Sequence, residues 1–101
     1  MSYGTPIAGG TVNIAATTTS ARVLLGSTDD SVRTVVIYNA GSSDVFIRFG
    51  DSTVTAVATT DFPVPAGIPV AFDRGGATYV AAIYGSGSGT VYFTPMSTVG
   101  L

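Results

Sequence analysis

The sequence predicts an all-β domain, an antiparallel, jelly-roll-like β-sandwich of about eight short strands. Three observations carry that expectation. Apolar residues alternate with period two in short runs, and no helical period appears anywhere along the chain. Clusters of Gly, Pro, Ser and Asp separate those runs at spacings of roughly 8–12 residues, the punctuation of a sandwich or barrel. Helix formers are scarce, with no Glu, Lys or Gln, while Thr, Val, Ser and Gly abound. An immunoglobulin-like sandwich and a small closed barrel are the alternatives; the Cys…Trp…Cys spacing of true immunoglobulin domains is missing.

The order of elements follows from the same signals. Residues 1–10, MSYGTPIAGG, read as a flexible N-terminal arm, with Tyr3 and Ile7 as the side chains that would reach a neighbour. The sandwich domain is expected over 11–95, with a C-terminal tail at 96–101. Residues 11–17 alternate Val12, Ile14 and Ala16 inward with Thr11, Asn13 and Ala15 outward and make a first strand. Residues 21–25, ARVLL, make a second, followed by the turn 26–31, GSTDDS. Asp29 and Asp30 can hold that turn by bonding nearby N–H groups. A calcium loop would want several regularly spaced oxygens and, in an EF-hand, a closing Glu that this chain lacks.

The centre of the pattern is 32–49, VRTVVIYNAGSSDVFIRF, which reads as a hairpin around 40–44. Val35, Ile37 and Asn39 share one face, and Val45, Ile47 and Phe49 share another. Both faces are largely apolar, so both need cover from a second sheet or another subunit. Residues 53–58, TVTAVA, alternate again as a strand. Phe62-Pro63-Val64-Pro65 cannot be a central strand, because Pro has no N–H for a ladder, so it is an edge or bend. Pro65-Ala66-Gly67 is a tight turn, and 68–72 a further strand. Residues 78–84, TYVAAIY, and 90–94, TVYFT, close the domain as strands joined by the hairpin loop GSGSG, with Pro95 as terminator.

The residue inventory excludes most chemistry. With no His, Cys, Lys or Glu, the usual general bases, serine-triad partners and zinc, haem or iron–sulfur ligands are absent. The GSGSG loop lacks the Lys and the strand-to-helix setting of a phosphate loop. The expectation is therefore a protein that is not an enzyme and needs no cofactor or metal. The net charge of −2 and four scattered Arg supply no footprint for nucleic acid. No signal-peptide pattern or membrane-span run of about 18 apolar residues is present. With no Cys there is no disulfide, which favours folding in a reducing compartment. Tyr38, Tyr79, Tyr84 and Tyr92 lie within strands, where sheet packing explains them better than a carbohydrate platform.

What remains is a surface with only 10% charged residues, against about 25% in ordinary domains. Edge strands normally carry charges or Pro against unwanted pairing, and here the visible guards are prolines near 62–69. Such a chain should prefer an assembly. Arg48 could pair with an Asp at an interface, and Phe62 sits in the edge segment; with Tyr3 and Ile7 these are the candidate interface residues.

The segments VIYNAGSSDVFIRFGDS, DFPVPAGIPVAF and ATYVAAIYGSGSGTVYFTP resemble a group of small virion proteins of tailed bacteriophages, of the capsid decoration or cement type. The resemblance spans roughly residues 32–95 and lies in strands and turns rather than in a site motif. It implies a small sandwich, often a homotrimer, on the virion surface, made in the host cytoplasm. Its partner would be the major capsid protein, whose subunits it clamps. A carbohydrate- or receptor-binding module of a tail or fibre is the alternative.

Overall fold

A computed structural model describes residues 4–29 and 31–97. They form two antiparallel sheets and no helix. The strands are β1 (Thr5–Pro6), β2 (Val12–Ala16), β3 (Ala21–Leu24), β4 (Thr34–Asn39), β5 (Val45–Gly50), β6 (Phe62–Val64), β7 (Val70–Asp73), β8 (Tyr79–Tyr84) and β9 (Gly89–Ser97). Sheet A runs β2-β9-β4-β7, with β1 continuing β2's side of β9; sheet B runs β3-β8-β5-β6. Pairing is nested: β2 with β9, β3 with β8, β4 with β7 and β5 with β6. The contacts β4–β9 and β5–β8 complete each sheet. This is a double Greek-key jelly roll, as the strand spacing predicts.

Two expected hairpins are corners instead. β4 and β5 belong to opposite sheets, as do β8 and β9. Alternation followed by a Gly/Ser turn looks the same whether the chain reverses in one sheet or crosses to the other. Here the second apolar face of each strand pair does not exist as one surface. Residues 40–44 supply enough length to cross the about 10 Å between sheets.

Inward-facing side chains obey the predicted parity. Val35 and Ile37 from β4, Val45 and Ile47 from β5, and Val91 and Phe93 from β9 are all buried. Each such side chain stabilises the fold by about 1.5–3 kcal/mol relative to exposure.

Residues 53–58 form no strand, contrary to expectation. Their alternation is real, since Val54 and Ala56 are buried while Thr53, Thr55 and Val57 are exposed. The segment is a strap laid across the outer face of sheet B, where Val54 and Ala56 pack with Ala81, Tyr79 and Ile83. Asp51 starts it by accepting from Thr53 N at 2.9 Å. Ser20 Oγ accepts from Ala56 N at 2.9 Å, and Asp61 closes it by accepting from Val57 N at 2.6 Å.

β9 also passes through Pro95 rather than stopping there. The carbonyl of Pro95 faces β1 and accepts from Ile7 N, so its missing N–H lies away from the β4 ladder. Met96 and Ser97 of the expected tail pair with Pro6 and Thr5 of the expected arm.

Candidate functional site

The described residues enclose no pocket and no group of three or more acidic side chains placed to hold a metal ion. The surfaces that can act are therefore sheet faces and sheet edges.

Sheet B's outer face is roofed by the strap, whereas among the described residues no such strap crosses sheet A's. Across β2, β9 and β4, Asn13, Tyr92 and Tyr38 stand in one row. Tyr38 and Tyr92 are 40% and 39% exposed, large values for strand aromatics. The next row is Thr94, Val36 and Ala71, with Thr11 bonded to Thr94 at 2.9 Å. The strand positions of this face are uncharged up to its end, where Asp73 meets Arg33 at 3.4 Å. Both partners are well exposed, so the pair adds little to stability.

Each sheet has two free edges, and hydrogen-bond parity shows which backbone groups they present. In an antiparallel ladder alternate residues turn N–H and C=O to opposite sides. Ala40 N donates to Thr90 O, so Thr90, Tyr92 and Thr94 face β4, and Val91 and Phe93 face β2. Their partners Ile14 and Val12 are thereby occupied, leaving Asn13 and Ala15 turned outward. The same parity leaves Ala71 and Asp73 outward on β7. Leu25 N donates to Thr78 O, which leaves Arg22 and Leu24 outward on β3. On β6 the outward residue is Pro63, whose absent N–H is the one that would have faced solvent.

Of the expected interface residues, Ile7, Arg48 and Phe62 stand at three separate places. Tyr3 lies outside the described residues. Ile7 is half-buried and tied within the chain, donating to Pro95 O and accepting from Gly10 N. Arg48 donates from Nε to Asp61 Oδ1 at 2.8 Å and so anchors the strap. Phe62 is exposed and packs edge-on against Phe72 at 5.2 Å between ring centres, at the open side between β6 and β7. In the 26–31 turn, Asp29 Oδ1 accepts from both Ser31 N and Ser31 Oγ at 2.9 Å. Those two bonds hold its carboxyl below the ordinary 3.8. Asp30 lies outside the described residues. Asp51 is likewise lowered by its bonds from Thr53.

Two buried polar residues carry no functional signal in the sequence and prove structural. Asn39 and Arg74 are fully or almost fully buried. Asn39 Nδ2 donates to Ser43 O and Val64 O, while its Oδ1 accepts from Gly41 N and the Tyr84 hydroxyl. Gly41 has to be glycine, because a Cβ there would collide with the Tyr84 hydroxyl. Arg74 donates to the carbonyls of Val32, Ala77 and Asp29 at 2.8–2.9 Å.

No family model matches the chain, and no curated protein matches it. Among solved structures, a chain from the Bacillus endospore appendages, described as "a novel family of disulfide-linked pili", is similar, with a TM-score of 0.54. The match covers 84% of this chain and 78% of that one at 19% identity. At that identity the likeness speaks for the fold: this chain is an antiparallel two-sheet sandwich of an architecture also seen in that pilus protein.

Proposed function

We propose that this chain is a structural protein that works by lying against other protein, as a component of the capsid surface of a tailed bacteriophage. The observation that carries the reading is the outer face of sheet A, uncharged at its strand positions up to the Asp73–Arg33 end, with its exposed Tyr38–Tyr92 pair. Tyr is favoured where one face must be desolvated while its hydroxyl stays wet. Contacts of that kind, made to neighbouring capsid subunits, add binding free energy to the closed shell. The sequence resemblance to decoration proteins supplies the capsid as the partner. The test is electron cryomicroscopy of the source particle with and without the chain. Density for this sandwich on the shell, and earlier disruption of shells that lack it, is the expected result. Particles devoid of the chain refute the reading.

A filament subunit is the second reading, favoured by the fold shared with the pilus protein. This chain has no Cys, so such a filament would hold together without disulfides. Saturable glycan binding lost in Tyr38→Ala or Tyr92→Ala would instead move the assignment to a carbohydrate-binding module.

A further inference from the structure

The four free edges are not equally protected. Natural sheets block edge-to-edge pairing with charges, prolines, bulges or covering loops. β6 presents Pro63, β7 presents Asp73 and β3 presents Arg22 at outward backbone positions. β2 presents Asn13 and Ala15. Neither is charged, neither is proline, and both side chains are exposed. Among the described residues no strand lies on that side of β2, and no bond to another part of the chain takes up these N–H and C=O groups. A chain with so few charges has little else to keep such an edge single.

We propose that β2 is the dimerisation edge of this protein, pairing antiparallel with β2 of a second copy about a two-fold axis beside Ile14. The register follows from parity. Outward groups of Asn13 in one copy meet those of Ala15 in the other, and the reverse, so two hydrogen-bonded pairs form with about four bonds in all. The small Ala15 side chain leaves room for Asn13 opposite it. Ile14 keeps its place in each core. A two-fold contact of this kind closes on itself and does not propagate. It fuses the two A sheets, and the row Tyr38–Tyr92–Asn13 of one copy runs on into Ala15 and Thr90 of the other. The result is a doubled uncharged face, so the inference deepens the structural reading and rests on it only for its purpose.

Sedimentation velocity of the full chain over a concentration series, with hydrogen exchange at the Asn13 and Ala15 amides, tests this. The expected result is a reversible dimer in which both amides slow as the dimer populates. Ala15→Pro removes an outward N–H that bonds nothing in the monomer, and Ala15→Lys places a charge on the edge. Each should raise the dimer Kd by about tenfold or more, while Ala71→Lys on β7 leaves it unchanged. If Ala15→Pro does not fold, Ala15→Lys decides. A monomer at millimolar concentration, a trimer, or a dimer indifferent to Ala15→Lys overturns the proposal. A dimer through β2 in a chain missing from the particle would refute the capsid reading and leave this one standing.

Discussion

The two ends of the sandwich are each closed by one buried polar side chain, and the two solve the problem differently. At one end Asn39 is a neutral amide that gives two hydrogen bonds and takes two. It ties β4 of sheet A to the end of β6 and to Tyr84 of β8 in sheet B. At the other end Arg74 is a buried cation that only gives, and its three acceptors are backbone carbonyls rather than carboxylates. It clasps the β3–β4 loop to the β7–β8 turn. Two of the four Asn39 bonds, those to Val64 O and from the Tyr84 hydroxyl, are buried, against one of the three Arg74 bonds, and the rest at each end are part-buried. The difference teaches that closure by an amide depends on matched partners on both sheets. Closure by a guanidinium depends on carbonyls that water could also satisfy.

That contrast ranks the consequences of breaking each end. Asn39→Ala should cost the most, about 4 kcal/mol, because it strands the buried Val64 carbonyl and Tyr84 hydroxyl together with two part-buried backbone groups. Urea unfolding measures it, and a cost under about 1 kcal/mol would show that the amide is not the closure. Asn39→Asp sharpens the point. A carboxylate beside Val64 O and Ser43 O can only repel them, while its protonated form donates once. The variant should therefore gain stability relative to wild type as pH falls. Arg74→Ala should cost less, about 3 kcal/mol, since part of its carbonyl set can be rehydrated. Arg74→Lys should recover only a fraction, because one ammonium cannot span three carbonyls placed for a fork.

Much of the inward-facing pattern is legible in the sequence. Alternation places Val35, Ile37 and Asn39 on one face, and all three are buried. Period-two alternation reports which side of a strand a residue occupies, so it also finds Val54 and Ala56. It does not report what the other backbone edge meets. That is why 53–58 looks like a strand, and why the β4–β5 and β8–β9 corners look like hairpins. Arg74 reads as part of a surface turn, since nothing local announces that a guanidinium will fold inward on distant carbonyls. The functional surfaces are hidden for the same reason. Tyr38 and Tyr92 are far apart in sequence and become neighbours only through the β4–β9 register. The exposed edge at Asn13 and Ala15 depends on ladder parity, which composition cannot supply.

The strap offers a smaller effect, away from both ends. Arg48 is half-exposed while the Asp61 carboxylate is nearly covered. Asp61→Ala removes the acceptor for both Arg48 Nε and Val57 N, so the strap should loosen at a cost of about 1 kcal/mol. Hydrogen exchange should speed at Val57 and leave the β4–β9 ladder protected. Equal acceleration in both would mean that the strap and sandwich open as one unit.

The smallest effect belongs to pH and returns to the Asn39 end. Burial pushes the Tyr84 phenol above its ordinary 10.0, and the Gly41 backbone N–H pulls it partly back. A raised value in the folded state means that the unfolded chain loses this proton first as pH climbs. The stabilisation is then complete below pH 10 and disappears as pH rises through the folded value. Tyr84→Phe deletes the titration together with one hydrogen bond to Asn39. Wild type should be the more stable of the two near neutral pH, and its advantage should shrink once the phenol ionises. Paired urea titrations from about pH 8 to about pH 11 compare them. A constant difference across that window would mean that Tyr84 titrates alike in both states.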